Sequence, residues 1–217
     1  MSEHIPEGGR APSITAVAIA LGLGLLMAAP ATARQEIQDL GFRFREGKCL
    51  NDAGEEGLNP GIPGMCGGLK GADLRELPLE GVDFSGANLV GARMNHAKLR
   101  GAIFHGANLN NSDMRNSDVR EADFRGASME RARLVGADLS RARLDDVDIQ
   151  RADLGLAILR DAIIVGANLQ NSNLAGADLT GTDIRRARVR GAIATEKTKF
   201  PQDMSLDELQ RLGIRFR

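Results

Sequence analysis

"GVDFSGANLVGARMNHAKLRGAIFHGANL", residues 81–109, places its large apolar side chains at Phe84, Leu89, Met94, Leu99, Phe104 and Leu109, five residues apart each time. A helix repeats every ~3.6 residues and a strand every ~2, so neither explains a period of five. The stretch is part of a longer run. From Ala72 to Gly191, 120 residues divide into 24 units of five without one insertion or deletion.

Within each unit, the residue two places before the large one is Ala in 17 of the 24, and otherwise Ser, Thr, Val or, once, Leu77. The residue between them is polar in most units, often Asp or Asn, as at Asp73, Asn88, Asp113 and Asp178. Side chains two apart share a face, so in, out, in describes a minimal strand-like side. The other two residues must then turn the chain, and glycines such as Gly86 and Gly106 supply permissive corners. A short side followed by a corner, repeated, generates a coil whose successive turns pair edge to edge about 4.8 Å apart.

The number of sides follows from the aromatic residues. Phe84, Phe104 and Phe124 recur at twenty, as do Met94 and Met114, and twenty is four units of five. With four sides per turn those rings lie above one another. With three sides, Phe84 and Phe104 would meet Leu99 and Val119 at a spacing of fifteen. Four sides make the 24 units six coils, a column roughly 29 Å tall at about 4.8 Å per coil.

"GANLVGARM", "GANLNNSDM" and "GADLTGTDI" resemble the A-(D/N)-L-x-x motif of the pentapeptide-repeat family, over 120 of 217 residues. The resemblance implies an all-β fold, a right-handed quadrilateral parallel β-helix. It also implies a range of roles: some relatives mimic duplex DNA and bind DNA gyrase, others are lumenal or secreted, and most carry no assigned activity.

The flanks read as one targeting segment and two caps. Arg10 precedes an uncharged apolar run from Ile14 to Met27 and the small-residue site Ala31-Thr32-Ala33, the pattern of a signal peptide over 1–33 cleaved before Arg34. An exported chain is expected to be periplasmic or secreted, or in the thylakoid lumen of a photosynthetic source. In that setting Cys49 and Cys66, the two cysteines of the chain, are expected to form a disulfide within an N-terminal cap over 34–71. Residues 192–217 close the other end. Ser205-Leu206-Asp207-Glu208 matches a helix capping box, Leu206, Leu209 and Leu212 follow at near-helical spacing, and Gly213 can end the helix. The two ends also share "LGFRFR" (40–45) and "LGIRFR" (212–217).

Little in the composition suggests catalysis. His96 and His105 fall at outward positions on different sides, and Asp145, Asp146 and Asp148 have Arg141 and Arg143 as neighbours, which favours a salt-bridged corner over a metal site. No enzyme activity, cofactor or metal is expected. A DNA mimic needs a dense acidic surface, but residues 72–191 carry 17 acidic and 17 basic side chains, so no nucleic-acid role is expected and the gyrase reading is disfavoured. Charge is uneven along the axis. Residues 184–217 hold nine Lys and Arg against four acids, a net +5 that offers a weak contact for an anionic surface.

One stretch breaks the polar pattern outside. In "LGLAILRDAIIVG", residues 154–166, Leu156, Ile158, Ile163 and Val165 take outward positions in a single coil. A clustered apolar patch of that kind marks a contact. Two arrangements satisfy it: the C-terminal helix folds back to cover it, or a second copy or a protein partner binds there. The sequence therefore reads as an exported, non-enzymatic scaffold or interaction protein whose partner it does not name.

Overall fold

Hydrogen bonding around Phe84 shows how one pentad becomes a side and a corner. The Phe84 amide donates to the Ile103 carbonyl at 2.6 Å, and the Ile103 amide donates to the Val82 carbonyl at 2.9 Å, so one outward residue is bracketed by bonds from the coil beneath. The Ala87 amide then donates to the Phe84 carbonyl at 3.0 Å, closing a four-residue turn. Gly86, third in that turn, has φ +66°, the signature of a type II turn. Among the described residues, twelve non-glycine residues, from Glu76 to Asn171, take the same left-handed conformation at their corners.

The computed structural model describes residues 69–217 and, ahead of them, the backbone of two antiparallel strands, β1 (Arg43–Arg45) and β2 (Lys48–Leu50). The expected signal segment, most of the N-terminal cap and the Cys49–Cys66 pairing lie outside the described residues. Parallel bridges link residues twenty apart, beginning with Asp73 to Arg93 and reaching Asn173 to Ile193. The chain is a right-handed quadrilateral β-helix. Its four sides are numbered here from the inward residues of the first turn: side 1 at Leu74, side 2 at Leu79, side 3 at Phe84 and side 4 at Leu89.

The core is a set of vertical columns. On side 3, Phe84, Phe104 and Phe124 are fully buried, with ring centroids 5.1 Å and 4.8 Å apart and planes within 6° and 4° of parallel. That spacing matches the backbone rung of about 4.8 Å, so the ladder itself sets the ring separation. Where Ser or Thr replaces the small inward Ala, its hydroxyl turns back to the corner. Ser117 donates to the Met114 carbonyl at 2.7 Å, and Ser172 and Thr182 to those of Leu169 and Leu179 at 2.8 Å. Ser112 is equally buried, yet its Oγ has no partner.

The repeat loses its regularity before its sequence pattern ends. Ile184–Arg186 forms a short 3₁₀ turn, and the bridge expected between Ile163 and Asp183 is not made. Ile184 nevertheless stays buried, so the side keeps its inward residue while losing its strand. One rung later Asp178 pairs with Lys199, at twenty-one.

The C-terminal segment supplies one more rung. β3 (Ile193–Ala194) pairs in parallel with β4 (Arg215–Phe216), which explains "LGIRFR": it covers the open edge of side 1, with Ile214 buried beneath it. Its twin "LGFRFR" leads into the antiparallel β1–β2 hairpin instead. Between them lies helix α1 (Leu206–Arg211). Ser205 Oγ accepts from the Glu208 amide at 3.3 Å, but the Glu208 carboxylate turns away to accept from Arg185 Nε at 2.7 Å, so half of the capping box forms. Leu209 is buried while Leu206 is exposed, and Gly213, at φ +91°, ends the helix.

Candidate functional site

Charged outward residues on side 1, from Asp73 to Arg133, are neutralised by their own neighbours, while side 4 carries amides at Asn88, Asn108 and Asn168. On side 1 the column runs Asp73, Arg93, Asp113, Arg133, Asp153, Asn173, and Arg93 and Arg133 each lie 3.6 Å from the aspartate below. An arginine two residues after an aspartate also forks onto it. Arg115 reaches Asp113 at 2.7 and 2.6 Å, and Arg120 reaches Asp118 at the same distances. The forked hydrogen bonds hold both carboxyls below the ordinary range, although partial burial opposes this. Among the described residues, no group of three or more His, Cys, Asp or Glu is arranged to hold a metal ion. His96 and His105 are both exposed.

Residues 155–166 depart from this pattern. Leu156 is 63% exposed at the corner after side 1, and Ile163 is 44% exposed on side 3. Ile158, between Asp138 and Asp178 on side 2, and Val165, on the corner after side 3, are half-buried. The C-terminal helix does not cover Leu156 or Ile163: its one buried leucine, Leu209, belongs to the core cluster. Nor do the four form one continuous surface. The corner between Ile158 and Ile163 carries exposed Arg160 and Asp161, and Arg160 Nε donates to Asp178 Oδ2 at 2.8 Å. Adjacent sides of a four-sided coil face a quarter-turn apart, so a flat partner meets the Leu156–Ile158 half or the Ile163–Val165 half.

Beside Leu156 the corner opens into a shallow groove of about 400 Å³. Val135, Leu156 and Ala175 form its apolar part, and Asp153, Asn173 and Lys197 its polar part. The corner column explains why it opens there. At spacing twenty the pairs are Arg75-Glu76, Asn95-His96 and Arg115-Asn116, then Val135-Gly136, Gly155-Leu156 and Ala175-Gly176. Charged and amide residues thus give way to small and aliphatic ones halfway up the column. Val135 and Ala175 were not among the expected contact residues, although reading the corners at period twenty reveals them.

Comparison with known families agrees with this architecture. A profile of pentapeptide repeats matches the chain in eight copies, the matched segments spanning residues 69–195. QnrB1, a plasmid-mediated fluoroquinolone resistance protein, is 24% identical, with 68% of this chain and 84% of that one covered at a TM-score of 0.46. HetL, a pentapeptide repeat protein involved in heterocyst differentiation regulation in the cyanobacterium Nostoc, is 23% identical, with 57% and 73% covered at a TM-score of 0.34. A pentapeptide repeat protein of the Arabidopsis thaliana thylakoid lumen is 26% identical, with 65% and 81% covered at a TM-score of 0.21. No curated protein matches the chain.

Proposed function

Because the chain belongs to the pentapeptide-repeat family, we propose that it is an exported, non-enzymatic scaffold that binds a protein partner through the lateral surface of residues 155–166. The observation that carries this reading is the pairing of exposed Leu156 and Ile163 within one coil, on a shaft whose side 1 column alternates acid with base; Ile103, 36% exposed, stands apart three rungs below Ile163. A soluble column gains nothing by exposing them unless something covers them. The fold supplies what such a role requires. Its backbone ladder runs along all four sides, on side 3 as far as Ile163, so the shaft presents side chains from a rigid support rather than from mobile loops.

A mimic of duplex DNA, the alternative raised by the family resemblance, would need acid at regular intervals. Alternating Asp and Arg on side 1 and the equal numbers of acids and bases over 72–191 count against it. The basic end supports a secondary, weak contact with an anionic surface. Arg185 is neutralised by Asp203 and Glu208, and Lys199 lies 3.5 Å from Asp178, whereas Arg188, Arg190, Arg215 and Arg217 have no carboxylate partner among the described residues.

Two experiments test the proposal. N-terminal sequencing of the cellular protein should find a start at Arg34 in an envelope fraction; an uncleaved cytoplasmic chain would end the export reading. The double variant Ile158→Asp with Ile163→Asp should abolish partner capture or self-association at an unchanged melting temperature. Retained association would place the contact elsewhere on the column.

A further inference from the structure

Resting on the protein-binding reading above, we infer that the corner groove beside Leu156 binds an extended peptide segment of about four residues, aliphatic at one end and carboxylate-bearing at the other.

Leu156 is the first part of the argument. Its φ is +58°, and it is the one aliphatic residue among the twelve non-glycine residues in that conformation, the rest being Asn, Asp, Glu, Arg or His. Left-handed backbone disfavours bulky side chains and suits glycine. With 63% of its surface exposed, Leu156 contributes little to the core either. Backbone geometry does not account for a leucine here, and its one packing contact, over Gly176, leaves most of the side chain open for contact with something outside the chain.

The groove is also built around that side chain. A Cβ at position 176 would stand 2.8 Å from Leu156 Cδ2, so the isobutyl group lies flat across Gly176 and forms a wall. Above it, Thr198 Oγ1 accepts from the Gly176 amide at 3.1 Å and the Thr195 amide at 3.0 Å, and donates to the Leu174 carbonyl at 2.9 Å. One hydroxyl therefore pins the segment that carries Lys197 at the head of the groove.

Charge then selects the occupant. Lys197 has no carboxylate partner among the described residues, and the Arg217 amide donates to the Ala194 carbonyl at 3.0 Å, which sets Arg217 on the rung above. With Arg215 beside it, and Glu196 as the acid of the terminal segments 192–199 and 213–217, the head of the groove is net positive. Asp153, lower in the groove, is held by neutral donors, its Oδ1 accepting from Asn173 Nδ2 at 2.8 Å and from the Gly155 amide at 3.2 Å, so it keeps its charge and turns a ligand's carboxylate toward the Lys197 end. The groove thus runs from aliphatic at Val135 to cationic at Lys197. From Val135 to Thr195 is three rungs, about 14 Å, which an extended chain spans in about four residues.

The test uses a fluorescein-labelled peptide with two leucines followed by two glutamates, read by anisotropy against the full chain. Two control peptides carry lysine in place of glutamate and serine in place of leucine. The leucine–glutamate peptide should bind at least about tenfold more tightly than either control, a difference of about 1.4 kcal/mol. Leu156→Gly should weaken it about tenfold at an unchanged or raised melting temperature, because glycine suits φ +58°. Lys197→Glu should weaken it similarly and lessen its salt dependence. Equal binding of the three peptides, no binding of any, or full affinity in Leu156→Gly would overturn the inference. Partner capture by the same variants separates the two readings. Capture that survives Leu156→Gly but fails in the Ile158→Asp, Ile163→Asp double variant would reject the groove and leave the scaffold standing.

Discussion

Replacing Phe104 by alanine removes the middle ring of a three-ring stack, and the structure sets the size of the penalty. The ring is completely buried and lies 5.1 Å from Phe84 and 4.8 Å from Phe124. Lost transfer energy together with the residual cavity costs about 3–5 kcal/mol for a buried Phe→Ala change. How far the site can collapse decides where in that range the value falls. Here the amides of Phe84 and Phe104 donate to the next coil at 2.6 and 2.7 Å, so the rungs cannot close on the void without breaking the ladder. The cost should therefore lie near the top, about 5 kcal/mol. Phe84→Ala loses one ring neighbour rather than two and should cost about 1 kcal/mol less. Phe104→Leu should cost only about 1 kcal/mol, since Leu144 already fills the same column three rungs away from Phe84. Urea titration followed by circular dichroism gives the free energies. Amide exchange on adjacent coils shows whether the loss is local, because each coil contacts only its neighbours. A loss below about 1 kcal/mol for Phe104→Ala, or a larger loss for Phe84→Ala, would refute the stacked-column argument.

Ser112→Ala should stabilise the protein by about 1 kcal/mol, since it removes a buried hydroxyl without a partner, whereas Ser117→Ala removes a bonded one and should be neutral or destabilising; chemical denaturation of the pair checks the difference. Burial would raise the Asp178 carboxyl, but hydrogen bonds from Thr180 and Arg160 outweigh it and hold the pKa at about 2, below the unfolded value of 3.8. A depressed folded pKa contributes stability at neutral pH that is lost as pH falls from about 4 to about 2, an effect of about 1–2 kcal/mol that Asp178→Asn should remove from the pH profile of urea melts. Thr198→Val leaves the Gly176 and Thr195 amides without their acceptor and should cost about 1–2 kcal/mol, with faster hydrogen exchange at Gly176 as its local signature.

The repeat was legible because its inward positions admit so few residue types: mostly Ala at one, and Leu, Met, Phe, Ile or Val at the other. The ring column then distinguished four sides from three. Corners were harder to read. Glycine at Gly86 advertises a left-handed turn, but Glu76, His96 and Arg131 adopt the same conformation, so the strain at Leu156 is visible only in the backbone. The apolar patch was found by following one coil, which joined Ile158 to Ile163 across a charged corner that divides them. Following the corners vertically would have exposed Val135 and Ala175. The 3₁₀ turn at Ile184–Arg186 left no mark, since Ile184 fills its inward position as the pattern asks. "LGIRFR" carries no pentapeptide motif, and its place follows from the need of side 1 for a final strand.

The central claim, that a partner meets the lateral surface of residues 155–166, is tested most directly by a photo-crosslinking side chain placed at Ile158, at Ile163 or, as a control, at Asn108 on side 4, in the full chain inside its own cells. The account predicts a discrete protein adduct from position 158 or 163 and none from position 108, with the productive position identifying which side the partner covers. Adducts of equal yield from all three positions, or from position 108 alone, would contradict it.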